Sequence, residues 1–339
     1  MPEATLPPPF LSSRFLRVAV FVAWHAITVL GVLLFLPGWG ELALAAGVYA
    51  IGMVSVTAGY HRYFSHRSFQ TSRPMQFALA WLAQSTVQKG VLWWAAHHRE
   101  HHRFSDQPGD PHSPWMDGNW HAHLGWVLSA DRLERNDQNI PDLLKVPELV
   151  WIDRFYLLPA LVLGLVLGMF GGWNAVVWGF AVPVLGVQHA TFTINSVAHL
   201  WGVRPYDTAD QSRNNALLAL LTFGEGWHNN HHFYPGAARQ GFLWWQVDLT
   251  WYVLVALRSV GMVWDLREPP ARVHLARRGR SLQRAERVRN QAEKAEQQAA
   301  LVARRAIDRL EQASTALALA TEHDEARRRE ELAERAGAA

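Results

Sequence analysis

Along the chain, long apolar runs come in pairs. Residues 16–36 and 42–58 are joined by the short turn PGWGE, and residues 157–170 and 175–193 repeat the arrangement around GGWN. Read with its apolar flanks, each run approaches the roughly 20 residues that a helix needs to cross a bilayer. Two transmembrane hairpins are expected, four spans in all. Two further stretches are apolar but interrupted, residues 75–95 by Gln84, Gln88 and Lys89, and residues 242–263 by Asp248 and Arg258. This pattern suits helices lying at the membrane surface. From residue 271 to 339 the chain turns to Ala, Arg, Glu and Gln without an aromatic residue. It reads as a long helix whose Leu301, Ile307, Leu310 and Leu317 make a heptad too patchy to demand a coiled coil. At the other end, Pro7, Pro8 and Pro9 would break a helix, so PEATLPPPF reads as a lead and not as a cleaved signal. The expected division is a lead (1–14), a membrane domain (15–270) and a helical tail (271–339). The fold class is all-α integral membrane, with four transmembrane helices in two hairpins, a cytosolic histidine-rich cap and a long C-terminal helical tail.

Composition supports the membrane reading. The chain holds 17 Trp and is 50% hydrophobic but only 18% charged. Charge also orients it. The hairpin turns carry no Lys or Arg, whereas residues 60–150 carry Arg62, Arg67, Arg73, Lys89, Arg99, Arg103, Arg132, Arg135 and Lys145. By the positive-inside rule that segment and both termini lie in the cytoplasm. The basic start of the tail favours anionic lipid head groups, at about 1 kcal/mol per Lys or Arg near the surface. No nucleic-acid partner is expected. The absence of cysteine excludes disulfides, thiolate metal sites and built-in iron–sulfur clusters, so any electrons come from another molecule.

Chemistry enters with histidine. His61 and His66 lie in HRYFSH, His98, His101 and His102 in HHREHH, His199 in NSVAH, and His228, His231 and His232 in HNNHH. Positions i, i+3 and i+4 share one face of a helix, so each HxxHH run aims three imidazoles the same way. Nine imidazoles exceed what one four- to six-coordinate ion can use, which argues for two metals. Every cluster emerges on the cytoplasmic side of the expected spans. Redox-silent zinc cannot activate dioxygen, whereas iron held by neutral nitrogen and water can. Iron is therefore the expected metal, and an unactivated C–H bond is the kind of target that requires it.

These segments carry a resemblance. TAGYHRYFSHRSF, HHREHHRFSDQPGDPHSP, NSVAHLWGVRPYDT with QSRNN, and GEGWHNNHHFYP, in this order, resemble membrane fatty acyl desaturases of the stearoyl-CoA desaturase type over about residues 15–268. The resemblance implies two Fe ions and O2 as co-substrate. It implies a saturated fatty acyl substrate, as acyl-CoA or acyl-lipid, and insertion of a cis double bond at Δ9. It also implies membrane lipids as surroundings and a separate electron donor such as ferredoxin or a cytochrome b5-like protein. The ligands it implies are His61, His66, His98, His101, His102, His199, His228, His231 and His232, with Asn195 joining through a bound water. A di-iron hydroxylase shares the metal chemistry and is the alternative; its product gains oxygen where a desaturase product loses two hydrogens.

Other polar residues are read differently. His97 widens the arc of the second run and is expected beside the site, not on the metal; His112 is expected to give a hydrogen bond. His25 and His189 sit within spans, where a polar group is bonded to a neighbour or functional, and His189 lies about 120° around the helix from Asn195. Glu100, Asp106, Asp110, Asp207 and Glu225 are candidates to orient imidazoles through their second ring nitrogen. Tyr49, about 18 Å from His61 along an ideal helix, is a candidate floor for the acyl chain.

Overall fold

The computed structural model describes residues 14–132 and 134–337; apart from Arg14, the expected N-terminal lead lies outside the described residues. The chain divides into two compact units, Met1–Arg277 and Arg278–Ala339. In the second unit the described residues continue one helix, α11 (Ala271–Gly337).

The first unit is built on helices. α1 (Arg14–Leu34) and α2 (Trp39–Val54) form the first pair, and α2 runs on as a π-helix through Ser55–Ser65. After two short helices and a loop-rich segment, α5 (Pro147–Arg154) leads to α6 (Leu158–Val176) and α7 (Val182–Asn195). Among the described residues three helical runs are long and apolar enough to cross a membrane: Phe15–Leu34, Trp39–Ser65 and Leu158–His199. The third is 42 residues long, about twice what a bilayer requires. It is broken at Gly172, where φ is 61° and ψ −160°, a conformation open to glycine and costly for other residues. The chain folds back there. A methyl group at Gly168 would touch Val176, and one at Gly164 would touch Phe180.

The expected continuous surface helices are shorter and interrupted. Residues 75–95 split into α3 (Arg73–Gln84) and α4 (Val91–Phe104), with Val87 and Lys89 at φ 56° and 69° between them. The reason is polar. Gln84 Oε1 accepts from Val91 N (3.1 Å) and Asp153 Oδ1 from Leu92 N (2.8 Å), so side chains satisfy the orphan N–H groups of a new helix start. In residues 242–263 the helix is only α10 (Leu249–Ser259), started by Asp248, which accepts from Trp251 N at 2.9 Å. Two further helices, α8 (Ala216–Leu221) and α9 (His228–Phe233), lie between α7 and α10. A two-stranded antiparallel ladder, β1 (Gln70–Thr71) with β2 (Val263–Trp264), ties the chain just after His66 to the end of α10. The apolar core joins Met53, Val56, Tyr60 and Phe64 to Leu79, Leu92, Ile152 and Leu254.

Candidate metal centre

In an α-helix His61 and His66 would point roughly 140° apart, at about 100° per residue. The π-helix removes this conflict, because i→i+5 bonding widens the turn until residues five apart stack. His66 N donates to His61 O at 3.2 Å, and the two rings lie 4.8 Å apart. Arg99 fastens α4 to this segment: its Nη2 donates to Phe64 O (2.6 Å), its Nε to Ser65 O (3.0 Å), and it pairs with Asp142.

The third run sits on α9, six residues long and too short to hold itself. The two asparagines inside HNNHH supply the anchorage. Asn229 Oδ1 accepts from Tyr206 N (2.8 Å), and Asn230 Nδ2 donates to Gln240 O and to Gln246 Oε1 (both 2.9 Å). Gly226 leads into the helix where a Cβ would lie 2.0 Å from Ala219 N, so only glycine fits.

The nine histidines fall into two groups, each able to hold a metal ion. His61, His66, His98, His102 and His231 make one; His101, His199, His228 and His232 make the other. Each HxxHH run is divided between them: the i, i+4 pair serves one group and the residue between serves the other. One helix therefore braces both positions.

The second ring nitrogens are held by carboxylates. His61 Nδ1 pairs with Glu225 Oε2, His101 Nδ1 is 2.9 Å from Asp110 Oδ1, His199 Nδ1 2.7 Å from Asp106 Oδ2, and His232 Nδ1 2.8 Å from Asp210 Oδ2. Such bonds fix the tautomer and leave Nε2 as a lone pair for metal. Arg62, fully buried, holds Glu225 and Asp248 at 3.0 Å each. Of the five carboxylates expected to orient ligands, Asp106, Asp110 and Glu225 do so. Glu100 instead faces Arg132 Nη1 at 3.7 Å. Asp210, which was not among the expected carboxylates, is the one that meets His232; the second acid in DTAD was the signal.

Charge is arranged to keep the imidazoles neutral. Burial first, then neighbouring imidazoles, holds His66, His98, His102, His228 and His231 well below the ordinary histidine value. His232 lies at about 4, burial outweighing Asp210. For His101 the balance reverses: burial lowers it, but Asp110 raises it more. Burial would raise Asp110 and Asp210, yet His101 and His232 beside them bring both well below the usual carboxylate range.

The nitrogen geometry fits bound metal. His66 and His98 Nε2 are 2.8 Å apart, His61 and His231 Nε2 3.0 Å, His231 and His102 Nε2 2.9 Å, and His199 and His228 Nε2 3.0 Å. Lone pairs so close repel unless a cation lies between them, and two nitrogens about 2.1 Å from one ion at a right angle are about 3.0 Å apart. His232 Nε2 is buried without a protein partner among the described residues.

Beside the histidines lies a narrow cavity of about 40 Å³, with Met53, Val56, Trp94 and Ile194 as apolar wall and Thr191 and Asn195 as polar wall. Asn195 thus stands where His98, His101 and His228 also face. Tyr49 is not part of this wall: its hydroxyl donates to Leu221 O (2.7 Å) and its ring lies against Phe223. His97 turns away, with Nδ1 2.9 Å from Trp93 O and its ring tilted against those of Trp93 and Trp126. His112 ring lies 4.3 Å from that of His101, and its Nδ1 is buried without a hydrogen-bond partner among the described residues.

Comparison with known proteins agrees with this geometry. The fatty acid desaturase family model matches residues 41–257. A palmitoyl-monogalactosyldiacylglycerol delta-7 desaturase of Arabidopsis thaliana is 36% identical, covering 75% of this chain and 69% of its own. A hex-5-enoyl-[acyl-carrier protein] acetylenase of Moorena producens is 37% identical over 77% and 88% of the two chains. An sn-2 palmitoyl-lipid 9-desaturase of Nostoc is 35% identical over 74% and 88%. The family match takes in both histidine groups and all four carboxylates that orient them, and the chain belongs to the fatty acid desaturase family.

Proposed function

We propose that the nine histidines hold two iron ions, five on one and four on the other, with Asn195 joining through water, and that the enzyme inserts a cis Δ9 double bond into a saturated acyl chain carried on a membrane lipid. The membership itself makes the protein an oxygen-dependent fatty acyl desaturase. The observation that carries the metal assignment is the division of each HxxHH run between two groups whose outer nitrogens meet carboxylates. Iron, when bound, supplies oxidation of the C–H bonds by dioxygen. The protein's residues supply position and dryness. Asp106, Asp110, Asp210 and Glu225 hold the imidazole tautomers, Met53, Val56 and Ile194 hold the acyl chain in a narrow slot, and the slot excludes bulk water from the reacting methylenes.

The reading of the lipid-borne substrate and of the position rests on the names of the relatives: two of the three are lipid desaturases, one of them a 9-desaturase. In this reading residues 15–270 form the desaturase domain and 271–339 an accessory tail. Four spans are obtained by dividing Leu158–His199 at Gly172, with the cap and both termini cytoplasmic, a placement that the basic residues of segment 60–150 support. The electrons come from a separate carrier of the ferredoxin or cytochrome b5 type, since the chain has no cysteine for a cluster of its own.

The test is the fatty acid profile of each lipid class in a desaturase-deficient host expressing the chain. A Δ9 monounsaturated product esterified in lipid is expected, absent with His231→Ala. Double bonds elsewhere would overturn the position; hydroxylated products would overturn the reaction.

A further inference from the structure

Three histidines outside the metal groups form a hydrogen-bonded line between α1, α7 and the segment at His121–Gly125. His25 Nδ1 is 2.8 Å from Phe21 O, and His25 Nε2 is 2.9 Å from His189 Nε2. His189 Nδ1 is 3.2 Å from His123 Nε2, and His123 Nδ1 is 3.0 Å from Ser196 Oγ. Ser196 Oγ in turn is 2.9 Å from Phe192 O. His189 uses its two ring nitrogens toward two different histidines, so the arrangement is a chain and not a chelate.

Counting protons gives the line a property. Each neutral imidazole carries one N–H and the serine one O–H, four protons in all. There are five links, and both end groups are peptide carbonyls, which can only accept. In the neutral state one link always lacks its proton; one added proton completes all five. Because Phe21 O and Phe192 O cannot pass a proton on, a proton enters or leaves the line only at its rings and at Ser196 Oγ.

We propose that the imidazoles of His25, His189 and His123, with the Ser196 hydroxyl closing the line, form a store for one proton that serves the reduction of dioxygen at the neighbouring metal centre. The reading rests on the desaturase assignment. Its overall balance is one saturated chain, one dioxygen, two electrons and two protons giving one unsaturated chain and two waters. The electron carrier delivers charge, and the protons must reach a site that is otherwise dry. Ser196, the last side chain of the line, is one residue from Asn195 in the cavity wall. Half-buried His123 is the ring on the cap segment and exchanges the proton with water. The other titratable groups on the packed elements are engaged elsewhere: Arg17 Nε donates to Leu128 O (3.0 Å), and His121 Nε2 lies 3.3 Å from Pro111 O.

Two measurements on the full chain test this. In zinc-loaded protein labelled with ¹⁵N-histidine, the rings of His25, His123 and His189 should titrate together, with one midpoint and one proton for the three. Independent midpoints, or no protonation down to about pH 4, would overturn the store. In iron-loaded protein, His189→Gln keeps a donor and an acceptor but cannot take up a proton. Product formed per electron pair consumed should fall about tenfold or more, with metal content unchanged. Full coupling in His189→Gln would show that the line only braces the helices. Loss of iron or of all product in the parent protein would instead remove the desaturase reading, which the wild-type control reads separately.

Discussion

His97 and His98 are adjacent and chemically identical, yet the helix turns one toward Trp93 and Trp126 and the other into the metal group. A step of about 100° separates them. His98→Ala removes a nitrogen that none of the braced neighbours can replace, so bound iron and product should both be lost. His97→Ala leaves a void among aromatic rings and should lower stability by about 2 kcal/mol while iron content stays near normal. Iron quantified per purified chain decides the matter; equal losses in the two variants would contradict the assignment. Arg62 shows the same dependence on direction. It touches no ligand nitrogen, but it holds Glu225, which holds His61, and a buried charge left without its partner is costly.

At the scale of elements, α2 and its π-helical continuation carry both the metal group and the cavity wall. Met53 and Val56 face the acyl slot, whereas Tyr49, one turn deeper, is committed to Leu221 O and Phe223. The wall of the cavity thus lies nearer the metal group than Tyr49 does. Met53→Trp should reduce activity on C18 relative to C14 chains by about tenfold, equivalent to about 1.4 kcal/mol, and Tyr49→Ala should leave the preference unchanged. Competition assays with mixed chain lengths read this directly; an altered preference in Tyr49→Ala alone would restore the tyrosine as the floor.

For the molecule as a whole, the metal centre makes the metal-free protein sensitive to acid. His66, His98, His102, His228, His231 and His232 are held below their ordinary value, so between that value and the folded one the unfolded chain binds more protons. Stability then falls as pH falls below about 6.5. Asp110 and Asp210, also depressed, add losses of the same sign at lower pH. His101 alone is raised, and its contribution is lost in the opposite direction, as pH rises. The balance is one-sided, and the melting temperature of chelator-treated protein in detergent should drop steadily from pH 7 to pH 5. A flat or rising profile would show that the imidazoles are not buried neutral.

The sequence by itself determined the elements with strong local signals. Apolar length marked the membrane helices, the Ala/Arg/Glu-rich composition marked α11, and i, i+3, i+4 spacing put three imidazoles on one face of α4 and of α9. Histidine type and spacing pointed to metal binding before any geometry was known. What local pattern could not decide was anything that depends on a partner distant in sequence. The division of each run of three, which sorts the nine nitrogens into five and four, follows from how α4, α9 and the π-helix approach one another. The π-helix itself was invisible to a 3.6-residue period, although the five-residue spacing of His61 and His66 was its trace. The break between α3 and α4 depends on Asp153, about 60 residues away, and the pairing of Asp210 with His232 depends on where the loop delivers that carboxylate. Sequence spacing fixes direction around one helix axis; only tertiary packing fixes which groups from different axes meet.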